Sequence, residues 1–176
     1  TTEKTNYGAI FYTFYGSEFN LYGGNLKATG LLTHAGVGAV SHEKRKEEDY
    51  KDIPAGIMNM YGGTISGGNV TDKGGLIWVL HGATFNMYGG ELSDGVAGSG
   101  GALYVNNDGS SANLLGGKIS NCTDSSGYAL SLSNGPVTFS GDVQVDSIFL
   151  PYNKTLNTQG LTKGAKLNIT SDVHGY

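Results

Sequence analysis

The chain has 176 residues, 30 of them glycine, about 17% against the roughly 7% of an average protein. Three prolines and no three-residue glycine period exclude collagen, and 38% apolar residues, with 11 Tyr and 6 Phe, exclude a flexible linker. A net charge of −4 argues against nucleic acid or an anionic membrane surface as partner, and a single Cys excludes an internal disulfide.

In chain order, Gly8-Ala-Ile-Phe-Tyr12 reads as a short alternating strand, and Phe19-Asn-Leu-Tyr-Gly-Gly-Asn-Leu26 as a strand running into a glycine corner. The second pattern returns as Met58-Asn-Met-Tyr-Gly-Gly-Thr-Ile65, Phe85-Asn-Met-Tyr-Gly-Gly-Glu-Leu92 and Ala112-Asn-Leu-Leu-Gly-Gly-Lys-Ile119, with a degraded copy at Val137-Thr-Phe-Ser-Gly141. Its Asn residues, 20, 59, 86 and 113, are spaced 39, 27 and 27 apart. The first pattern returns as Gly75-Leu-Ile-Trp-Val79, Gly101-Ala-Leu-Tyr-Val105 and Tyr128-Ala-Leu-Ser-Leu132. Two alternating strands per period of about 27, with no 3.6-residue apolar pattern, predict an all-β fold: a single-stranded parallel β-helix, or β-solenoid, with one rung per period. The glycine pairs at 23–24, 62–63, 89–90 and 116–117 are expected at corners that need φ > 0.

One module is expected over residues 1–176, with repeat rungs over about 7–136, an insertion over about 41–53 and a capping turn over about 137–176. The insertion follows from the interval of 39. Residues 42–52 hold 9 of the 26 charged residues and the single Arg, Arg45. A lengthened corner loop is tolerated by a solenoid and is often where one binds, although its near-neutral charge also suits a merely solvated loop. The apolar run Leu76–Leu80 is far short of the roughly 20 residues of a spanning helix, so no membrane insertion is expected. No amino-terminal export signal is seen, and the chain reads as a piece of a longer one.

Period-2 alternation assigns the faces. Phe85 and Met87 point inward, Asn86 and Tyr88 outward, and stacking aligns equivalent positions into ladders. One outward row is Tyr22, Tyr61 and Tyr88 beside Asn20, Asn59, Asn86 and Asn113; a second is Phe11, Trp78 and Tyr104. Ile10, Leu21, Met60, Ile65, Ile77 and Leu92 are among the residues expected inside.

Met60-Tyr-Gly-Gly-Thr-Ile-Ser-Gly-Gly-Asn69, Gly100-Gly-Ala-Leu-Tyr-Val105, Gly116-Gly-Lys-Ile-Ser-Asn121 and Gly160-Leu-Thr-Lys-Gly-Ala-Lys166 carry a resemblance over most of residues 8 to 170. They resemble the Gly-Gly-x-Ile-Ser-Gly-Asn repeats and terminal turn of right-handed parallel β-helix regions in large surface proteins of Gram-positive gut bacteria. The resemblance implies the pectate-lyase-like superfold, right-handedness, an extracellular or wall-attached setting and a multidomain parent. It implies no activity, because that superfold hosts lyases, glycosidases, adhesins and spacers alike.

Candidate acids Glu18, Glu91, Asp94, Asp142 and Asp146 fall at different phases of the repeat, so no catalytic pair is expected. His34, His42, His81 and His174 lack metal-ligand spacing, and no cofactor or metal is expected. Cys122 reads as a semi-buried corner residue. Aromatic faces can stack on the C–H faces of sugars while Asn amides pair with hydroxyls. Candidate ligand-binding residues are therefore Tyr22, Tyr61, Tyr88, Asn59 and Asn86 in one ladder, Phe11, Trp78 and Tyr104 in the other, and His81 with Tyr50 and Asp52 of the insertion beside Trp78. The expectation is a monomeric, non-catalytic adhesion or glycan-binding module; a polysaccharide-degrading enzyme, a protein-binding adhesin and a structural spacer stand as alternatives.

Overall fold

The computed structural model of the chain describes residues 10–13, 15–41, 54–107 and 109–172. Among these are nineteen strands and no helix. The chain runs through β1 (Phe11–Thr13), β2 (Glu18–Leu21), β3 (Asn25–Lys27) and β4 (Leu31–Leu32), then repeats the series as β5 (Gly38–Val40), β6 (Ile57–Met60), β7 (Thr64–Ser66) and β8 (Asn69–Val70). β9 (Ile77–Val79), β10 (Thr84–Met87) and β11 (Glu91–Ser93) follow, then β12 (Leu103–Val105), β13 (Ser111–Leu114) and β14 (Lys118–Ser120). β15 (Leu130–Ser131), β16 (Val137–Gly141), β17 (Gln144–Leu150), β18 (Asn157–Leu161) and β19 (Lys166–Ser171) complete the order.

Equivalent strands stack on one another, and every strand pairing is parallel. β2, β6, β10, β13, β16 and β18 form one sheet; β1, β5, β9, β12 and β15 form a second run, and β3, β7, β11 and β14 a third. β17 joins the last two runs, because Gln144 and Val145 pair with β14 while Ile148 and Phe149 pair with β15. The result is an all-β, strongly curled arrangement of parallel sheets consistent with a β-solenoid. Three principal strands recur where two were expected, since each glycine pair divides its motif between two runs.

Register follows the Asn repeat: Asn20 pairs with Asn59, Asn59 with Asn86, Asn86 with Asn113, and Asn113 with Thr138. The long interval leaves it undisturbed. Val40 pairs with Val79, so the 19 positions from Val40 to Asn59 replace the 7 from Val79 to Asn86, which confines the insertion to that corner. Its residues 42–53 lie outside the described residues, and Tyr50 and Asp52 with them.

The two glycines of a corner serve different needs. Gly90 has φ +88°, a left-handed backbone that L side chains rarely adopt, whereas a Cβ on Gly89 would lie 2.8 Å from the carbonyl oxygen of Tyr61. Only the second glycine was foreseen correctly; the first marks where successive turns touch.

Met58, Met60, Ile65, Phe85, Met87, Leu92, Leu114, Ile119 and Phe139 are fully buried between the walls. Burial of each such side chain contributes about 1.5–3 kcal/mol relative to exposure. Ile10, expected inside, is 44% exposed: it precedes β1, on which no further strand is stacked among the described residues.

Candidate functional site

The tyrosine row forms as the repeat dictates. Tyr22 and Tyr61 stack with centroids 4.9 Å apart and planes at 7°, and Tyr61 and Tyr88 at 4.9 Å and 5°. All three lie on the surface, Tyr22 at 74% exposure, Tyr61 at 43% and Tyr88 at 46%. Mutual stacking consumes the ring faces between neighbours, so the row presents hydroxyls and ring edges; Tyr22, at the end of the stack, keeps one face turned to solvent. The phenol of Tyr61 is held above its ordinary pKa of 10.0, first by burial between its neighbours, then by the charges that Tyr88, Tyr22 and Glu18 would place beside it.

Beside it runs a chain of amides. Asn113 Nδ2 donates to Asn86 Oδ1 at 2.8 Å, Asn86 Nδ2 to Asn59 Oδ1 at 2.8 Å, and Asn59 Nδ2 to Asn20 Oδ1 at 3.0 Å and to Glu18 Oε1 at 2.6 Å. Asn59 is only 6% exposed. These amides bond one another first, and Asn59, a candidate glycan contact, is covered by its own ladder. Glu18 ends this chain, a structural role that spacing alone did not reveal.

The second aromatic row differs from expectation. Tyr12 pairs with Ala39, Ala39 with Trp78, and Trp78 with Tyr104, whereas Phe11 pairs with Gly38, in register with Ile77. Phe11 therefore belongs one position away, and its ring lies over Gly38, where a Cβ would meet it, and against Phe19 at 4.7 Å. It packs against the main core and does not join Trp78.

Trp78 lies outside the main core yet is only 7% exposed, in a second cluster with Ala35, Ala39 and Leu80, flanked by Tyr12 and Tyr104. The His34 ring lies 5.4 Å from it, Tyr104 meets it edge-on at 6.4 Å, and Lys73 Nζ sits 5.8 Å from the indole and 5.2 Å from the Tyr104 ring. His34 Nδ1 in turn lies 2.9 Å from Asp72 Oδ2. The corner loops around residues 34 and 72–73 thus cover Trp78 from outside. His81 stands at the next corner with φ +56°, its Nδ1 3.1 Å from Ser41 Oγ, so the imidazole beside the indole is that of His34.

Glu91 and Asp146 are bound into local structure. Glu91 Oε1 accepts from Ser120 Oγ at 2.8 Å and Lys118 Nζ at 3.1 Å, and these partners, the hydroxyl foremost, hold its carboxyl below the ordinary range. Asp146 accepts from the Asn121 backbone N–H at 3.3 Å. Among the described residues no group of three or more His, Cys, Asp or Glu could hold a metal ion. Cys122 is 5% exposed, and burial is the main cause that pushes its thiol up to about 12, with Asp94, Asp146 and Glu91 adding to it against one backbone N–H from Gly95.

Among the described residues no helix is long and apolar enough to cross a membrane. The chain matches no family model, no curated protein and no solved structure.

Proposed function

We propose that the chain is a non-catalytic extracellular module of a larger secreted or wall-attached bacterial protein, acting in adhesion or carbohydrate binding. In this reading the solenoid is a right-handed parallel β-helix of about 27 residues per rung, the offset that separates Asn59 from Asn86 and Asn86 from Asn113. The observation that supports binding is the exposed stack of Tyr22, Tyr61 and Tyr88. Its rings are fixed by each other, so a ligand meets an aromatic surface already ordered and loses little side-chain entropy on docking. The solvent-facing ring of Tyr22 offers an apolar platform for a sugar ring, and the row of phenol hydroxyls offers donors and acceptors along an extended chain.

A structural spacer is the second reading, supported by the inward use of the Asn amides and the covered indole of Trp78. Glycan-array binding by the intact chain, repeated with Tyr22→Ala and Tyr88→Ala, separates the two. Glycan binding requires a hit that weakens at least tenfold with Tyr22→Ala. Absence of binding by the wild type to every glycan leaves the spacer.

A further inference from the structure

In the carboxy-terminal turns two loops border a cleft of about 320 Å³. One loop, between β15 and β16, supplies Leu132, Asn134 and Pro136, with Val137 at the start of β16. The other, between β17 and β18, supplies Asn153, Lys154 and Thr155, with Asn157 at the start of β18. This volume lies at the lower end of the range for small-molecule sites, about 300–1,000 Å³.

The lining has a particular chemistry. Among the described residues Lys154 is the one charged residue of the lining, and no carboxylate joins it. The ion pairs among the described residues are His34 with Asp72 and Lys118 with Glu91, so Lys154 is committed to neither. The contrast with the Asn ladder is sharper still. There each amide serves its neighbour, whereas none of the side-chain hydrogen bonds among the described residues involves Asn134, Asn153, Asn157 or Thr155. Three residues with amides and one with a hydroxyl, each able to donate and accept, therefore line the cleft beside one ammonium, with Leu132, Pro136 and Val137 as apolar lining.

Both loops are held in place. The Gly135 N–H donates to the Val105 carbonyl at 2.8 Å, Ala112 N–H to Pro136 O at 3.1 Å, and Leu132 N–H to Phe149 O at 2.9 Å. Opposite, Lys154 N–H closes a turn on Pro151 O at 3.1 Å, with Asn153 at φ +64°. That left-handed conformation is one Asn tolerates better than most residues. The walls are thus formed before any ligand arrives.

We infer that this cleft binds a sugar acid: a monosaccharide-sized ring whose carboxylate pairs with Lys154, whose hydroxyls meet the three Asn amides and Thr155, and whose C–H face lies on Pro136. Adjacent hydroxyls match amides that both donate and accept, and the single unpaired cation selects for one negative charge. The site is separate from the tyrosine row and does not rest on its proposed role.

Titration of the intact ¹⁵N-labelled chain with glucuronate, glucose and inorganic phosphate tests this. Glucuronate is expected to shift the side-chain amide signals of Asn134, Asn153 and Asn157 saturably, at least tenfold more tightly than glucose, which differs at C6, or phosphate, which lacks the ring. Lys154→Gln removes at least tenfold of that affinity, Lys154→Arg retains most of it, and Lys27→Gln, on β3, leaves it unchanged. Lys154 is exposed, so its variants test binding in a folded chain. Unmoved amide signals, equal affinity for glucuronate and glucose or phosphate, or an unaltered Lys154→Gln variant overturns the inference.

Discussion

Trp78 Nε1 donates to Asn106 Oδ1 at 2.9 Å, linking two residues 28 apart in sequence on adjacent turns. The indole is nearly buried, so its removal takes away both this hydrogen bond and a packed ring. Trp78→Phe is expected to lower stability by about 1–3 kcal/mol in urea unfolding, from the lost hydrogen bond and lost ring volume together. Trp78 is the only tryptophan, so emission in the wild type reports this corner alone and shifts to the red when it opens. Stability equal to wild type would show that the second cluster is not part of the cooperative structure.

The amide ladder predicts an order of costs. Asn59→Ala removes a buried side chain that donates to Asn20 and Glu18 and accepts from Asn86, whereas Asn113→Ala removes one donation to Asn86. Losses of about 2–3 kcal/mol and about 0.5–1.5 kcal/mol are expected, because an unpaired buried polar group costs more than one that water can reach. Thermal unfolding of both variants checks the ranking, and a larger loss for Asn113→Ala contradicts it.

The glycine pairs allow a comparison within one repeat position. A Cβ at Gly23 meets nothing within 4 Å and the backbone is not left-handed, so Gly23→Ala is expected to be neutral or to stabilise by about 0.4–1 kcal/mol. Gly24→Ala meets nothing either but must adopt φ +86°, at a cost of about 1–2 kcal/mol. Gly90→Ala combines φ +88° with a Cβ 2.6 Å from the Gly63 carbonyl oxygen, and should be the most damaging of the three. Melting temperatures that fail to follow this order would mean that the corners relax.

These positions also show what the sequence could convey. The Asn register and the location of the insertion were legible because side chains of one kind recur at a fixed interval, with the irregularity in a single step. The register of Phe11 was not, because in β5 the stacking positions are Gly38 and Ala39, which carry no more than a methyl group and hid an entire strand from the pattern. Nor could periodicity show that His34, Asp72 and Lys73 close over Trp78, since none of the three recurs at the repeat interval. The direction in which each amide points is likewise set by its neighbours in space, which is why the Asn row read equally well as a binding surface.

Tyr61 supplies a pH dependence. Its folded-state pKa lies above 10.0, so well below pH 10, where the phenol is protonated in both states, it contributes no pH dependence. As pH rises further the unfolded chain ionises first, and stability falls through the folded-state value. Tyrosinate absorbance of the wild type minus that of Tyr61→Phe should give a midpoint above 10. A midpoint at or below 10 would show that neighbouring rings do not confine this phenol.

The Asn chain also has a sense of direction, since every amide donates toward the amino-terminal turn and none the other way. Excision of residues 60–86 would bring Asn113 onto Asn59 with donor facing acceptor as before, and duplication of the same stretch would extend the thread by one link. A segment cut out of step with the interval would leave an amide with no counterpart. The length of the solenoid is therefore adjustable in whole units while its polarity is fixed, which makes the molecule a ruler that can be lengthened or shortened by gene duplication or deletion without redesign of its interior.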